Sequence, residues 1–105
     1  MREKADTKEN SSAVVTHRAP WTVVGVRVLG GHRLWIRFVD GTEGEADVSR
    51  LVFGRDPGVF KVLRDPDLFA RVGIDQGAVT WPGGLDLAPD AMYDEIRANG
   101  RWTAE

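Results

Sequence analysis

Two segments of alternating residues flank Asp40-Gly41, a dipeptide typical of a hairpin turn. Alternation with a period of two predicts a strand with one buried face. The apolar positions of the first segment are Leu34, Ile36 and Phe38. Those of the second segment are Gly44, Ala46 and Val48. The chain is therefore expected to contain an antiparallel hairpin over residues 33–48.

The parity of these segments restricts the loop between them. A two-residue loop at Asp40-Gly41 would pair Phe38 with Glu43 and would place acidic side chains on the buried face. The apolar residues share one face only if the loop has an odd number of residues or carries a bulge. We therefore expect a three-residue loop or a bulge. The other face then carries charges of both signs, from Arg33, Arg37, Glu43, Glu45 and Asp47.

Local patterns predict the elements next to the hairpin. Alternation over residues 21–29 indicates a preceding strand with Val24, Val26 and Val28 on one face. After the hairpin, Ser49 is expected to cap a short turn. Asp56-Pro57 then predicts the start of a helix, because aspartate often caps a helix and proline suits its first position. The apolar face of this helix carries Val59, Phe60 and Leu63.

The second half of the chain contains shorter elements. Asp65-Pro66 ends the helix, and residues 71–74 and 78–81 indicate two short strands around a turn. Pro89 opens a last helix that ends at Asn99-Gly100. Its apolar face carries Met92, Tyr93 and Ile96.

This order of elements predicts an α+β fold, with a three-stranded antiparallel meander followed by a helix, two short strands and a C-terminal helix (β3-α-β2-α). Residues 21–99 are expected to form a single α+β domain. Residues 1–20 are expected to be a disordered N-terminal arm, because they offer little apolar surface to bury. Residues 100–105 are expected to be a C-terminal tail.

Composition excludes several classes of protein. The 105 residues include no cysteine, which rules out disulfides and a cysteine-based metal site. No apolar stretch approaches the ~20 residues that span a membrane, and the first residues lack the apolar core of a secretory signal. The net charge of −2 differs from the basic charge of a typical nucleic-acid binder. We expect a cytoplasmic protein without membrane contact.

Side chains that could carry catalysis are few and scattered. The two histidines, His17 and His32, have no second ligand at a metal-binding spacing. No serine lies in a nucleophile elbow, and neither glycine pair, Gly30-Gly31 nor Gly83-Gly84, belongs to a phosphate loop. The sequence thus predicts no catalytic residue, no metal and no cofactor, and it indicates a protein that is not an enzyme.

Acidic clusters leave an alternative open. Their members are Asp40, Glu43, Glu45 and Asp47 in the hairpin, and Asp86, Asp90 and Asp94 near the last helix. Such carboxylates can bind a hard metal ion or perform acid–base chemistry. Turn formation, helix capping and cross-strand pairing are the favoured explanation of these carboxylates. The alternative function is therefore a small-ligand or metal-binding domain, or an enzyme, that uses one of these clusters.

Trp35 suggests a different role for the charged face of the hairpin. By parity it lies outside the core, between Arg33 and Arg37. Tryptophan and arginine are enriched in the residues that dominate protein–protein interfaces. Trp35, Arg33 and Arg37 are therefore candidate partner-binding residues, although the ring could instead lie flat over the arginine side chains. Nucleic-acid binding through Arg27, Arg33 and Arg37 is a third hypothesis, and the net charge argues against it.

Motifs along residues 21–96 resemble the bacterial domain of unknown function 2442 family. The motifs are Trp21-x-Val23, Leu34-x-Ile36-x-Phe38-x-Asp40-Gly41, Gly44-x-Ala46-Asp47-Val48, Gly58-Val59-Phe60-x-x-Leu63 and Trp81-Pro82-x-Gly84-x-Asp86-Leu87-x-Pro89-Asp90. The resemblance implies an α+β domain with no established catalytic residues. It makes Asp40, Gly41, Asp47, Trp81, Pro82, Gly84, Asp86, Leu87 and Pro89 family-motif residues, for which turn geometry and packing are sufficient reasons.

The resemblance also implies a function. Family members often lie beside a second small protein, as an antitoxin does with its toxin, and some carry a separate DNA-binding helix-turn-helix. The present chain has no room for such a unit after its domain, so direct nucleic-acid binding by this chain alone is not expected. We therefore expect a protein-binding module, antitoxin-like, whose partner is another small protein.

Overall fold

The computed structural model describes residues 8–9 and 19–104. The rest of the expected N-terminal arm, residues 1–7 and 10–18, and the last residue of the expected tail lie outside the described residues. The strands are β1 (Lys8–Glu9), β2 (Val23–Leu29), β3 (Arg33–Phe38), β4 (Glu43–Asp47), β5 (Gly73–Asp75), β6 (Ala78–Trp81), β7 (Leu85–Asp86) and β8 (Arg101–Thr103). The helices are α1 (Ser49–Phe53), a 3₁₀ helix (Gly58–Arg64), α2 (Pro66–Phe69) and α3 (Pro89–Asn99).

Five of these strands form the main sheet, in the order β1-β2-β3-β4-β8. Strands β2, β3 and β4 form the expected antiparallel meander. Strand β8 adds to β4 in parallel, with Ala46 opposite Trp102. The sequence pattern does not predict β8, which lies within the expected C-terminal tail. Strand β1, within the expected arm, pairs antiparallel with β2.

The hairpin between β3 and β4 confirms the parity argument. Arg37 pairs with Glu43 and Ile36 pairs with Gly44. The Phe38 amide donates to the Thr42 carbonyl at 2.8 Å, which leaves a three-residue loop. Gly41 closes this loop at a φ of 93°, a left-handed conformation that glycine adopts without strain. The odd-numbered loop is thus the reason why apolar residues of both strands share the buried face.

A β-bulge in β2 changes which valines face the core. Val23 pairs with Phe38 while Gly25 pairs with the adjacent Arg37, so Val24 is an extra residue. Val23 and Val26 are fully buried, whereas Val24 is half-buried and Val28 is exposed. The prediction that Val24 shares a face with Val26 is therefore wrong, because the bulge reverses the alternation between them.

The 3₁₀ helix corrects the helix that was expected from Asp56-Pro57. Gly58 has a φ of 59°, which prevents a regular α-helix from starting at Pro57. A 3₁₀ helix has three residues per turn, so side chains three apart share a face. Leu63 is buried and Phe60 half-buried, whereas Val59 is exposed. Val59 is therefore not part of an inward face.

The smaller sheet has the order β5-β6-β7. Gln76 and Gly77, both at positive φ, form the tight turn between β5 and β6. The turn after Trp81 leads into β7, a strand that the sequence pattern does not predict. Asp65 caps α2, where its carboxylate accepts from the Asp67 amide at 2.9 Å.

Helix α3 covers the buried face of the main sheet. Met92, Tyr93 and Ile96 are buried, as expected. The helix ends at Gly100, which has a φ of 80° and turns the chain into β8. The helix approaches β4 closely, because a Cβ atom on Gly44 would lie 2.5 Å from the Gly100 carbonyl oxygen. Helices and antiparallel strands pack together in this way, which confirms the α+β class.

No helix within residues 8–9 and 19–104 is both long enough and apolar enough to cross a membrane.

Candidate functional site

The predicted partner-binding residues Trp35, Arg33 and Arg37 lie on the outer face of the main sheet, where Trp35 contacts Arg37 and also Arg27. The guanidinium of Arg27 lies 4.9 Å from the centre of the Trp35 ring, and that of Arg37 lies 5.8 Å away. The indole Nε1 donates to Glu43 Oε1 at 3.1 Å. The ring is half-buried under these side chains. A partner protein at this face would meet arginine side chains before the indole, and binding by Trp35 stays a prediction.

The charges on this face form pairs across the strands. Glu45 accepts from Arg33 at 3.3 Å and lies 3.7 Å from Arg101 of β8. Both arginines are well exposed, so each pair contributes roughly 0–1 kcal/mol to stability. Glu45 is thus paired with two arginines, whereas Glu43 accepts from the Trp35 indole, and the face carries charges of both signs.

Asp47 connects the sheet to α1. Its Oδ1 accepts from both the backbone amide of Ser49 at 3.0 Å and the Ser49 hydroxyl at 2.6 Å. Burial alone would raise the pKa of Asp47, but these hydrogen bonds and nearby arginines hold that pKa below its ordinary value. Ser49 is therefore not a capping residue but the first residue of α1, and its amide is bound by Asp47.

Asp40 connects the β3–β4 loop to α3. The Tyr93 hydroxyl donates to Asp40 Oδ2 at 2.6 Å, and the Thr42 amide donates to Oδ1 at 2.9 Å. These two hydrogen bonds hold the pKa of Asp40 below its ordinary value. Arg97 donates to the Tyr93 hydroxyl at 3.3 Å. The family-motif aspartates Asp40 and Asp47 are thus both occupied by hydrogen bonds that fix loops.

The residues of the Trp81 motif build the smaller sheet and its link to α3. The buried Trp81 ring donates from Nε1 to the Phe69 carbonyl at 2.9 Å and stacks on the Phe69 ring at 5.7 Å. Gly84 has a φ of 86° in the turn after Pro82. Leu87 is buried, Pro89 is the first residue of α3, and Asp86 is exposed at the end of β7.

The contacts of His32 are also those of a residue that supports the fold. Its Nε2 lies 2.7 Å from the Leu63 carbonyl, and its ring contacts Phe69 at 4.5 Å and Phe53 at 4.8 Å between ring centres. The ring thus joins the turn between β2 and β3 to α1, the 3₁₀ helix and α2. Within the described part of the chain, no group of three or more histidine or acidic side chains is arranged to hold a metal ion.

Among the described residues, the three most exposed large hydrophobic side chains lie on one segment, which the sequence reasoning missed. Phe53, Val59 and Val62 have exposed fractions of 54%, 66% and 52%. We call these three residues the apolar ridge. Arg64, an exposed residue at the end of the 3₁₀ helix, joins this helix to α1, since it donates to the Val52 and Gly54 carbonyls at 2.8 and 3.2 Å. The signal in the sequence was Gly58 directly after Asp56-Pro57, since glycine disfavours a regular α-helix at this position.

Comparison with known proteins gives one match. The sequence profile of the DUF2442 family, described as a protein of unknown function, matches residues 23–98. No curated protein and no solved structure matches the chain significantly. The matched region extends from the start of β2 to the last turn of α3, so it includes the hairpin, both motif aspartates and the Trp81 turn. This chain is therefore a member of the DUF2442 family.

Proposed function

We propose that this protein is a protein-binding module, the antitoxin-like member of a two-protein system, and that the apolar ridge contacts the partner. The observation that carries this proposal is the exposure of Phe53, Val59 and Val62 within ten residues of chain. Single exposed apolar residues are common on protein surfaces, but a concentration of large ones marks an interaction site.

The ridge has the properties of an interface core. Burying an exposed phenylalanine or valine side chain contributes about 1.5–3 kcal/mol when the burial is complete. Val59 and Val62 are three residues apart on a 3₁₀ helix, so they lie on the same face. The ridge is held by Arg64 rather than by a flexible loop, which reduces the entropy lost on binding.

The antitoxin-like role rests on the family resemblance, in which a second small protein accompanies the domain. The partner we expect is small, has an apolar surface that fits the ridge, and is harmful to the cell when it is produced without this chain.

Affinity purification tests the proposal. The tagged protein would be purified from nuclease-treated lysate of the source cells, and partners present near stoichiometry would be identified. The variant pair Val59→Ser with Val62→Ser removes ridge surface, while Val28→Ser with Val39→Ser is a matched control at exposed valines elsewhere.

We expect one small partner that binds wild type and the control but not the ridge variant, and that inhibits growth when expressed alone. Recovery of no partner would overturn the protein-binding proposal. Equal loss of the partner from both variants would overturn the assignment to the ridge. A harmless partner would overturn the antitoxin-like role.

A further inference from the structure

Within the described part of the chain, β8 is an edge strand of the main sheet, and some of its backbone groups have no strand partner. The Glu45 amide donates to the Gly100 carbonyl at 3.1 Å, and the Ala104 amide donates to the Asp47 carbonyl at 2.9 Å. Backbone groups of alternate residues in a strand point to opposite edges. Gly100, Trp102 and Ala104 therefore face β4. The N–H and C=O groups of Arg101 and Thr103 face away from it.

An open groove runs along this edge. Its volume is about 980 Å³, and it lies between β8 and one face of α3. The α3 residues that line it, Ala91, Asp94, Glu95 and Asn99, recur at the spacing of a single helical face. Trp102 is half-buried and lines the same groove. The groove thus places unpaired backbone groups beside an aromatic surface.

The side chains that line the groove carry more negative than positive charge, which favours a cationic ligand. Glu45, Asp94 and Glu95 line it against the single guanidinium of Arg101, which is paired with Glu45. Glu95 accepts a hydrogen bond from Asn99 at 3.1 Å, and this neutral amide does not compensate the charge of the carboxylate. Among the described residues, Asp94 has no ion-pair partner. Two negative charges on the α3 wall therefore remain available to a cationic ligand.

We propose that this groove binds an extended, lysine- or arginine-bearing segment of another protein, which adds to β8 as a further strand. Strand addition to a free edge uses main-chain hydrogen bonds for affinity and side-chain contacts for specificity. Basic side chains of the segment reach Asp94 and Glu95, and an apolar side chain packs against Trp102. The surface is separate from the apolar ridge, so the inference does not depend on the proposed function.

Other occupants fit this groove less well. A second copy that paired its own β8 at this edge would bring Asp94 and Glu95 of both copies together, and such like-charge contacts are unfavourable. Nucleic acid is a polyanion and would be repelled by the same carboxylates. A basic protein segment satisfies both the free edge and the charge.

The test uses the purified full chain and a fluorescent peptide of alternating lysine and valine, with an alternating glutamate and valine peptide for comparison. Fluorescence anisotropy gives the dissociation constants.

Two sets of variants accompany this assay. Asp94→Asn with Glu95→Gln removes the wall charges, and Asp56→Asn with Asp75→Asn is the matched control with the same change in net charge outside the groove. Thr103→Pro removes an outward N–H group, while Thr103→Val keeps it.

We expect the wall variant to weaken binding of the basic peptide by about tenfold and the control pair to leave it unchanged. Thr103→Pro should lose binding while its melting temperature stays near that of Thr103→Val. Amide resonances of Arg101 and Thr103 should shift when the peptide is added.

Three results would overturn the proposal. The first is that the acidic peptide binds as tightly as the basic peptide. The second is that Asp56→Asn with Asp75→Asn weakens binding of the basic peptide as much as the wall variant does. The third is that a folded Thr103→Pro variant binds the basic peptide as tightly as wild type. If Thr103→Pro fails to fold, the two charge variants and the resonance shifts still decide the outcome. Because the test uses a peptide and not the cellular partner, failure here leaves the ridge proposal intact.

Discussion

The Tyr93 hydroxyl lies 2.6 Å from Asp40 Oδ2, across 53 positions of sequence. This hydrogen bond connects the middle of α3 to the loop of the β3–β4 hairpin. The Tyr93 ring also packs edge-on against Phe38, with 5.0 Å between ring centres. Tyr93 therefore fastens the helix to the sheet through both its ring and its hydroxyl group.

Replacing Tyr93 with phenylalanine separates these two contributions. The ring contact with Phe38 remains, but Asp40 loses a hydrogen-bond donor. We expect the free energy of unfolding to fall by about 1 kcal/mol, because a hydrogen bond to a charged group contributes modestly where water can replace it. Urea denaturation measures the change. A variant as stable as wild type would show that the ring alone fastens the helix.

Acid should destabilise the protein through Asp40 and Asp47. Their pKa values in the folded state lie below the ordinary value of 3.8, so the folded state favours the charged forms. The resulting stability is fully present well above pH 3.8 and decreases as the pH falls through the folded-state pKa values. Urea midpoints across the acid range test this. Asp40→Asn should flatten the acid dependence, and an unchanged profile would contradict the assignment.

Substitution of Gly44 should be strongly destabilising. A Cβ atom there would lie 2.5 Å from the Gly100 carbonyl oxygen and 2.6 Å from the Ile96 side chain. We expect Gly44→Ala to cost about 1–3 kcal/mol, as overpacking of a close contact does. Gly30→Ala is the control, since nothing lies within 4 Å of its Cβ position. Equal urea midpoints for the two variants would show that α3 can move away from β4 at little cost.

Trp35 and Arg27 should be energetically coupled. A guanidinium 4.9 Å from an indole centre forms a cation–π contact that is worth about 0.5–1 kcal/mol at an exposed site. A double-mutant cycle with Arg27→Met and Trp35→Ala measures this coupling. We also expect Trp35→Ala to remain folded, because the ring lies outside the core. A loss of the fold would assign Trp35 a core role.

Elements specified by local pattern could be predicted from the sequence. The odd-numbered loop at Asp40-Gly41 follows from the parity of two strands, and helix α3 follows from Pro89, its apolar face and Gly100. In these elements the residues that determine the structure are close together in the chain, so the pattern contains the needed information.

Elements that depend on distant contacts or on one unusual backbone angle could not be predicted. Strand β8 has only three residues, and its pairing with β4 depends on the close approach that Gly44 permits. The bulge at Val24 lies next to Gly25, and an isolated glycine in a strand can mark a bulge, but it does not show which residue is the extra one. The exposure of Val59 and Val62 depends on the 3₁₀ helix that begins at the left-handed Gly58. The groove beside β8 depends on where α3 packs, which local patterns do not show.

The alternating backbone direction of β8 also sets how its amide hydrogens exchange with solvent. The Trp102 and Ala104 amides point into the β4 ladder, so their hydrogens exchange only when the strand opens. The Arg101 and Thr103 amides point to the free edge and exchange without any opening. Slow and fast exchange should therefore alternate along these four residues, and a strand bound at the edge would slow all of them.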